Sequence, residues 1–173
     1  RHAKFKRNRH FAHRRIDGTV ETIGYTHEQR PILFFTVTSP ENQSRIDEIR
    51  EAHLARMRGE AVAEDTPLVL WINFGVHGAE SSGMDAAMPA LYHYAAASDA
   101  AVGETLDDTV ILFTAVFNPD GHSRRVNHVE TFFSQAQNTD PADIIHNLWV
   151  EARTNHYWFD LNRQWLLLTQ PEA

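Results

Sequence analysis

The first part of the chain alternates between apolar and polar residues in a way that predicts β-strands. Residues 19–25 alternate between apolar and polar side chains, and residues 31–37 form a denser apolar run after a short polar break. Successive side chains of a strand point to opposite faces, so the alternation predicts a strand with one buried face. We expect these two segments to form a β-hairpin or two neighbouring strands.

Beyond these strands, the apolar residues recur at the spacing of helices. Four of them follow one another at about helical spacing with charged residues between them: Ile46, Ile49, Leu54 and Met57. This pattern predicts a surface helix. Residues 82–97 are rich in Ala, Met and Leu and carry few charges, which predicts a buried helix.

Two nearly continuous apolar runs, residues 68–74 and 109–117, stand on either side of the second helix. Such runs are typical of strands that are covered on both faces. Strand, helix and strand in this order form the βαβ unit of a parallel or mixed sheet. The polar segment 122–153 predicts a long loop with one short helix. The sequence therefore predicts an α/β fold, with a mixed, largely parallel sheet flanked by helices.

Composition and charge narrow the picture. The 173 residues suit a single domain or part of one, and no segment approaches the roughly 20 apolar residues of a membrane span. With 0 Cys and 11 His, a metal would be held by His and carboxylates. Residues 1–18 carry seven basic residues before the first acid, Asp17. We interpret them as a solvated leader or a helix against the acidic remainder, rather than as an arm for nucleic acid or lipid.

The first polar cluster follows the apolar run 68–74 and has the spacing of a metal site. His77 and Glu80 stand three residues apart, with Gly78 between them. In a tight turn, residues three apart project to the same side, so an imidazole and a carboxylate can bind one cation. The glycine allows a sharp turn. The His-x-x-Glu spacing is common by chance, and its context has to support it.

Two more polar clusters follow apparent strands, one after the run 109–117 and the other at a short apolar segment, residues 158–161. Residues 118–121 read Asn-Pro-Asp-Gly, a strong turn signal whose side chains we expect to bond loop backbone. The third cluster contains Arg153, Asn162 and Arg163. Arg can grip a carboxylate with two parallel hydrogen bonds, and Asn adds a neutral donor. Sites in open α/β sheets form beyond the carboxyl ends of strands, so we expect the clusters to share one crevice.

The three motifs in this order resemble the zinc carboxypeptidase family, the carboxypeptidase A-like metallopeptidases. They are HGAE at 77–80, NPDG at 118–121 and DLNR at 160–163, and RTNHYWFDLNRQW at 153–165 looks especially like bacterial members. The resemblance covers roughly residues 19–172. It implies that residues 19–173 are the amino-terminal portion of a zinc carboxypeptidase-like catalytic domain.

The resemblance also implies a role for each candidate residue. His77 and Glu80 would bind one Zn²⁺ ion. Asn162 and Arg163 would hold the terminal carboxylate of a peptide or protein substrate, and Arg153 would polarise the scissile carbonyl and stabilise its oxyanion.

Other arginines and histidines of the chain bear on these assignments. The loop before Arg153 is variable in the family, so Arg124 or Arg125 could take its place. Four histidines are expected to be surface residues rather than ligands: His122, His128, His146 and His156.

Family members complete the site with a second histidine ligand and a glutamate general base, both well downstream of the Asn-Arg pair. The sequence ends at Ala173, ten positions after Arg163. The resemblance therefore implies that both groups lie beyond Ala173 and that this chain alone is inactive. A secreted or periplasmic location follows from the resemblance only. Oligomeric state and side-chain specificity stay open.

Two other functions are compatible with the same residues. A non-catalytic peptide-binding remnant would keep Asn162 and Arg163 without the downstream ligand. A zinc-dependent deacylase of acyl-amino acids would share the metal chemistry, and it would cleave acyl-amino acids while ignoring peptides.

Overall fold

The structure, a computed structural model, describes residues 9–13, 16–136, 139–146 and 152–173. Its sheet contains five strands, named in chain order: β1 (Arg9–His13), β2 (Ile16–Tyr25), β3 (Pro31–Thr38), β4 (Leu68–Asn73) and β5 (Thr109–Thr114). In space their order is β1-β2-β3-β5-β4. β1 pairs antiparallel with β2, and β3 pairs antiparallel with β5.

Among the described residues, the sheet is accompanied by the α-helices α1 (Pro40–Ser44), α2 (Ile46–Met57), α3 (Ser81–Ala96), α4 (Ala100–Asp108) and α5 (Pro119–Phe132). Two 3₁₀ helices follow, Ile144–His146 and Leu161–Arg163. The predicted mixed sheet flanked by helices is confirmed, although the two antiparallel pairs make parallel pairing less extensive than the sequence suggests. Among the described residues, none of the helices has the length and apolarity to cross a membrane.

The chain forms two compact units. The first consists of Arg1–Thr22, Phe34–Ile72 and Met88–Thr114, and the second of Ile23–Leu33, Asn73–Ala87 and Ala115–Ala173. β1 and the first residues of β2 lie within the predicted leader 1–18. Residues 1–8, 14 and 15 of that leader are outside the described residues, so its boundary stays a prediction.

In the first unit, Asn42 connects α1 to the end of α4. Its buried side chain donates from Nδ2 to the carbonyl oxygens of Leu106, at 3.0 Å, and Asp107, at 2.8 Å. The last carbonyl groups of a helix lack partners within that helix, so Asn42 satisfies two of them. Thr38 Oγ1, which has one proton to donate, lies 2.7 Å from Thr109 O and 3.2 Å from Leu106 O.

Two apolar segments are less covered than the sequence predicts. β4 is last in the strand order, and Leu68, Leu70 and Trp71 are 61%, 50% and 47% exposed. The predicted buried helix, α3, is buried on one side only, with Met88 and Tyr92 exposed. Both predictions of full burial are wrong, because apolar content does not reveal how many neighbours an element has.

The prediction of a long loop after residue 121 is also wrong for the first part of that segment, where the structure has the 14-residue helix α5. Asn118 caps this helix by accepting a hydrogen bond from Gly121 N at 3.0 Å, and Pro119 occupies the first turn. Asn at the cap and Pro at the first position are common at helix starts. The NPDG motif is thus the start of a helix as well as a turn.

We predict that Asn42→Ala lowers the free energy of unfolding by about 1–3 kcal/mol, because the carbonyl oxygens of Leu106 and Asp107 each lose a hydrogen bond from the buried amide. Chemical denaturation followed by circular dichroism measures this loss. Asn127→Ala, at an exposed position of α5, is the matched control and should have little effect. Equal effects of the two substitutions would contradict this role of Asn42.

Candidate active site

The first two predicted clusters lie side by side in the second unit. Just beyond β4 and β5, Phe117 N donates to Phe74 O at 3.0 Å, and Asn118 N donates to Gly75 O at 2.9 Å. One step forward along residues 117–118 is matched by one step forward along residues 74–75, so the two segments run parallel. The turn before His77 and the start of α5 therefore occupy the same edge of the sheet.

Three backbone segments meet closely at two glycines of this edge. A Cβ atom at Gly78 would lie 2.1 Å from Gly121 C, 2.3 Å from His122 N and 2.5 Å from Ala152 O. A Cβ atom at Gly121 would lie 2.6 Å from the carbonyl oxygens of both Ala152 and Thr154. No side chain fits at either position, so the close approach requires glycine at both.

Hydrogen bonds to the carbonyl oxygen of Arg153 connect the same three segments. Gly78 N donates to Arg153 O at 3.4 Å, and Asn118 Nδ2 donates to it at 3.2 Å. Because Asn118 Oδ1 also caps α5, this fully buried side chain joins the helix start to the segment that carries Arg153. The predicted role of Asn118 in bonding loop backbone agrees with these contacts.

His77 stands between two carboxylates. Its ring is buried, with Nδ1 3.1 Å from Glu80 Oε1 and Nε2 2.8 Å from Asp160 Oδ1. A proton on Nε2 that is donated to Asp160 leaves the lone pair of Nδ1 on the side of Glu80. The two residues of the His-x-x-Glu motif therefore converge, as their spacing predicts.

Arg153 bridges the same two carboxylates. Its Nη1 donates to Glu80 Oε1 at 3.1 Å, and its Nε donates to Asp160 Oδ2 at 3.2 Å. The Arg153 side chain is mostly buried, whereas that of Glu80 is largely exposed. The guanidinium thus balances negative charge beside His77.

Asp160 is the site residue that sequence reasoning passed over. Burial raises its pKa, but hydrogen bonds from His77, Asn162 N and Arg153 outweigh this effect, and the pKa of Asp160 is held below its ordinary value. The carboxylate is therefore ionised and can orient both His77 and Arg153. The signal available in the sequence was a carboxylate within the DLNR motif, because a carboxylate often partners a metal-binding histidine.

Asn162 and Arg163 lie on the 3₁₀ helix that follows Asp160, and both side chains are exposed. Trp165 Nε1 donates to Asn162 Oδ1 at 2.9 Å, and the Trp165 ring stacks on Phe117 with centroids 5.3 Å apart. Among the described residues, Arg163 donates to the carbonyl oxygen of Asn162, at 3.3 Å, and to no carboxylate. Its guanidinium is accessible to an anionic group from solvent.

The alternative arginines occupy other surroundings. Arg124 Nη2 donates to the carbonyl oxygens of Thr154, at 2.7 Å, and Asn155, and its guanidinium lies 5.1 Å from the ring centroid of Trp158. Arg125 Nη1 is buried without a hydrogen-bond partner among the described residues. Arg153 is therefore the arginine placed beside Glu80.

A second charged cluster supports the start of α5 from the other side. The fully buried carboxylate of Asp120 accepts hydrogen bonds from Thr26 Oγ1 at 2.8 Å, Glu28 N at 3.2 Å and Arg30 Nη1 at 2.7 Å. His156 Nδ1 lies 2.9 Å from Glu28 Oε1. Asp120 thus fastens residues 26–30 to the helix, a scaffolding role.

Three other histidines lie apart from His77 in their contacts. His128 Nε2 is 2.9 Å from Ile144 O, and His146 is exposed on its 3₁₀ helix. His122 differs from its predicted place on a surface loop: it lies in the first turns of α5 and is half-buried.

The donor atoms of His77 and Glu80 fit a zinc ion. Zinc binds imidazole nitrogen and carboxylate oxygen at roughly 2.0–2.2 Å, so donors 3.1 Å apart can both reach one ion. The Asp160 carboxylate on the far nitrogen of His77 is the arrangement that orients metal-bound histidines. Within the described part of the chain, no group of three or more candidate ligands exists, so these two residues could supply at most two of the three protein ligands that a catalytic zinc site normally has.

Comparison with known proteins decides the family. The family model for zinc carboxypeptidase matches residues 12–172. The chain belongs to the zinc carboxypeptidase family. The match covers nearly the whole sequence and includes all five predicted site residues. No curated protein sequence matches the chain.

Solved structures of metallocarboxypeptidases show the same fold as this zinc carboxypeptidase family member. A metallo-carboxypeptidase from Burkholderia cenocepacia is similar with a TM-score of 0.55 and 19% identity, over 90% of this chain and 31% of that one. A putative carboxypeptidase A from Shewanella denitrificans has a TM-score of 0.54 and 15% identity, over 89% and 29%. The chain thus spans about a third of the length of these relatives.

We predict that Gly78→Ala lowers the free energy of unfolding by about 1–3 kcal/mol or more, because its Cβ would overlap backbone atoms that cannot move independently. Gly83→Ala is the matched control, since its Cβ would meet only Phe74 Cδ1, at 3.9 Å. In helix α3 that change should be neutral or stabilising by up to about 1 kcal/mol. Urea denaturation measures the free energy of unfolding of both variants. If Gly78→Ala is as stable as wild type, the backbone segments do not approach each other this closely.

Proposed function

We propose that this protein takes part in zinc-dependent hydrolysis of peptide bonds at the carboxy terminus of a substrate, as a metallocarboxypeptidase. The observation that carries the proposal is the convergence of His77 Nδ1 and Glu80 Oε1, 3.1 Å apart, beside the guanidinium of Arg153. Family membership supports the same chemistry. A third ligand and a general base would come from outside the described residues.

In this proposal His77 and Glu80 would hold one zinc ion. Zinc supplies a Lewis acid that polarises a carbonyl group and makes a water molecule more acidic. Asp160 keeps the proton of the His77 ring on Nε2 and fixes the orientation of the ring, so that Nδ1 faces the cation. The contacts of His77 with Glu80 and Asp160 support these proposed roles.

Arg153 is proposed to stabilise the oxyanion of the scissile carbonyl. Its guanidinium is directed at Glu80 and Asp160, and a cation bound to Glu80 would take over part of its charge-balancing role. The freed donors could then turn to the substrate oxygen while Asp160 still holds Nε. Oxyanion donors of this kind contribute about 2.7–4 kcal/mol to transition-state stabilisation.

Asn162 and Arg163 are proposed to hold the terminal carboxylate of the peptide. Arg163 is exposed and can offer two parallel donors, the geometry that suits a carboxylate. Trp165 fixes the Asn162 amide through its Oδ1 atom, which leaves Nδ2 directed away from that contact as a donor. The two side chains would select substrates with a free carboxy terminus.

We predict that Glu80→Gln weakens zinc binding by at least about tenfold, since even the loss of a partner that only orients a ligand costs 10–100-fold. Competition with a chelating indicator measures the affinity, and circular dichroism checks the fold. The matched control is Glu104→Gln, at an exposed position of α4. Unchanged zinc affinity in Glu80→Gln would remove the His-x-x-Glu assignment and the peptidase proposal with it.

We predict that Arg163→Lys weakens the binding of peptides with a free carboxy terminus by about tenfold, because Lys cannot make the two-pronged contact. Amidated versions of the same peptides should bind equally to both forms, which makes them an internal control. Calorimetric titration of the zinc-loaded protein measures the affinities. If the wild-type protein binds free and amidated peptides equally well, the exopeptidase interpretation is ruled out.

A further inference from the structure

A cavity of about 560 Å³ lies between α2 and one face of the sheet. All of its lining residues belong to the first unit, and none of them belongs to the proposed active site. Pockets that bind small molecules have volumes of about 300–1,000 Å³, so the cavity is large enough for a ligand of that class.

The floor of the cavity is apolar and belongs to one face of the sheet. Phe34 lines it from β3, and Val110 and Leu112 line it from β5. Val110 and Leu112 are two residues apart and therefore point to the same face of their strand. Ile46 of α2 adds an apolar wall. A ligand with an apolar body would be removed from water on these surfaces.

Two of the residues that line the cavity carry hydrogen-bond acceptors. Gln43 Oε1 is buried and has no hydrogen-bond partner among the described residues, and Gln43 lines the cavity. Glu21 of β2 contributes a half-buried carboxylate to the same lining. A buried acceptor without a donor is unfavourable, so an N–H group placed in the cavity would satisfy it.

The remaining charged groups of the lining lie on α2. Asp47 and Arg50 are exposed and of opposite sign, and His53 is half-buried. The exposed pair offset each other in solvent, where charges are well screened. The preference between charged ligands is therefore set by the half-buried carboxylate of Glu21.

We propose that this cavity is a binding site for a small amphipathic amine. The apolar body lies on Phe34, Val110 and Leu112. The ammonium group donates to Gln43 Oε1 and faces the carboxylate of Glu21. A purely apolar molecule would leave Gln43 unpaired, and a carboxylic acid would place a second negative charge beside Glu21. The site is independent of the proposed peptidase activity.

Three probes with the same phenyl group and different heads test the site: 2-phenylethylamine, 2-phenylethanol and 3-phenylpropionate. Calorimetric titration of the 173-residue protein without zinc should show the amine binding at least about tenfold more tightly than the alcohol, since a charge-assisted hydrogen bond is lost. The acid should bind more weakly still. Equal binding of amine and acid, or no binding of the amine, overturns the proposal.

Matched substitutions locate the bound amine. Glu21→Gln keeps the size of the side chain. It should weaken the binding of the amine by about tenfold and leave the affinity for the alcohol unchanged. Glu41→Gln, at an exposed position of α1 outside the lining, should change neither affinity. Because Glu21→Gln alters no packing volume, it should fold normally, as circular dichroism can verify. Undiminished amine affinity in Glu21→Gln overturns the assignment.

Discussion

The close packing of three backbone segments at Gly78 and Gly121 is the constraint on which the candidate active site depends. The turn after β4, the start of α5 and the segment around Ala152 approach so closely that a Cβ atom at either glycine would overlap backbone. The main-chain carbonyl of Arg153 then accepts hydrogen bonds from both of the other segments. Side chains that are far apart in the sequence are brought together by this backbone contact rather than by attraction among themselves.

The charges of the site follow from that geometry. His77, Glu80, Arg153 and Asp160 form a compact group in which the His77 ring and the Arg153 guanidinium each contact both carboxylates. Removing charged groups from water is costly unless they are paired, and here Arg153 supplies much of the compensation. A cation bound by Glu80 has to compete with Arg153 for the same oxygen atom. In the proposed function, metal binding would therefore be coupled to the position of Arg153, and the guanidinium would become more available to a substrate oxygen once the cation is bound.

The sequence predicts the local parts of this structure and misses the long-range parts. The strands β2 to β5, the helices α2 and α3 and the convergence of His77 with Glu80 depend on residues near one another in the chain, whereas β1 lies in the segment predicted as a solvated leader or a helix. Asp160 meets His77 across 83 positions, and no local pattern reveals that distance. The exposure of β4 was missed for the same reason. An apolar run has the same sequence pattern whether its strand lies at the edge or at the centre of a sheet. The helix α5 was missed because its NPDG start is also turn chemistry.

The polar residues of the second and third predicted clusters divide into two kinds according to their burial and their partners, although the structure has a 3₁₀ helix rather than a strand end at the third cluster. Asn118 and Asp120 are fully buried, and their side chains bond to backbone and side chains of neighbouring segments. Asn162 and Arg163 are exposed, and each can still bond to a group that arrives from solvent. Neither residue type nor position in the motif distinguishes the structural residues from the exposed ones, because each group contains an Asn. Burial separates them, because a fully enclosed amide can only support the fold, whereas an exposed amide beside an exposed guanidinium can recognise a ligand.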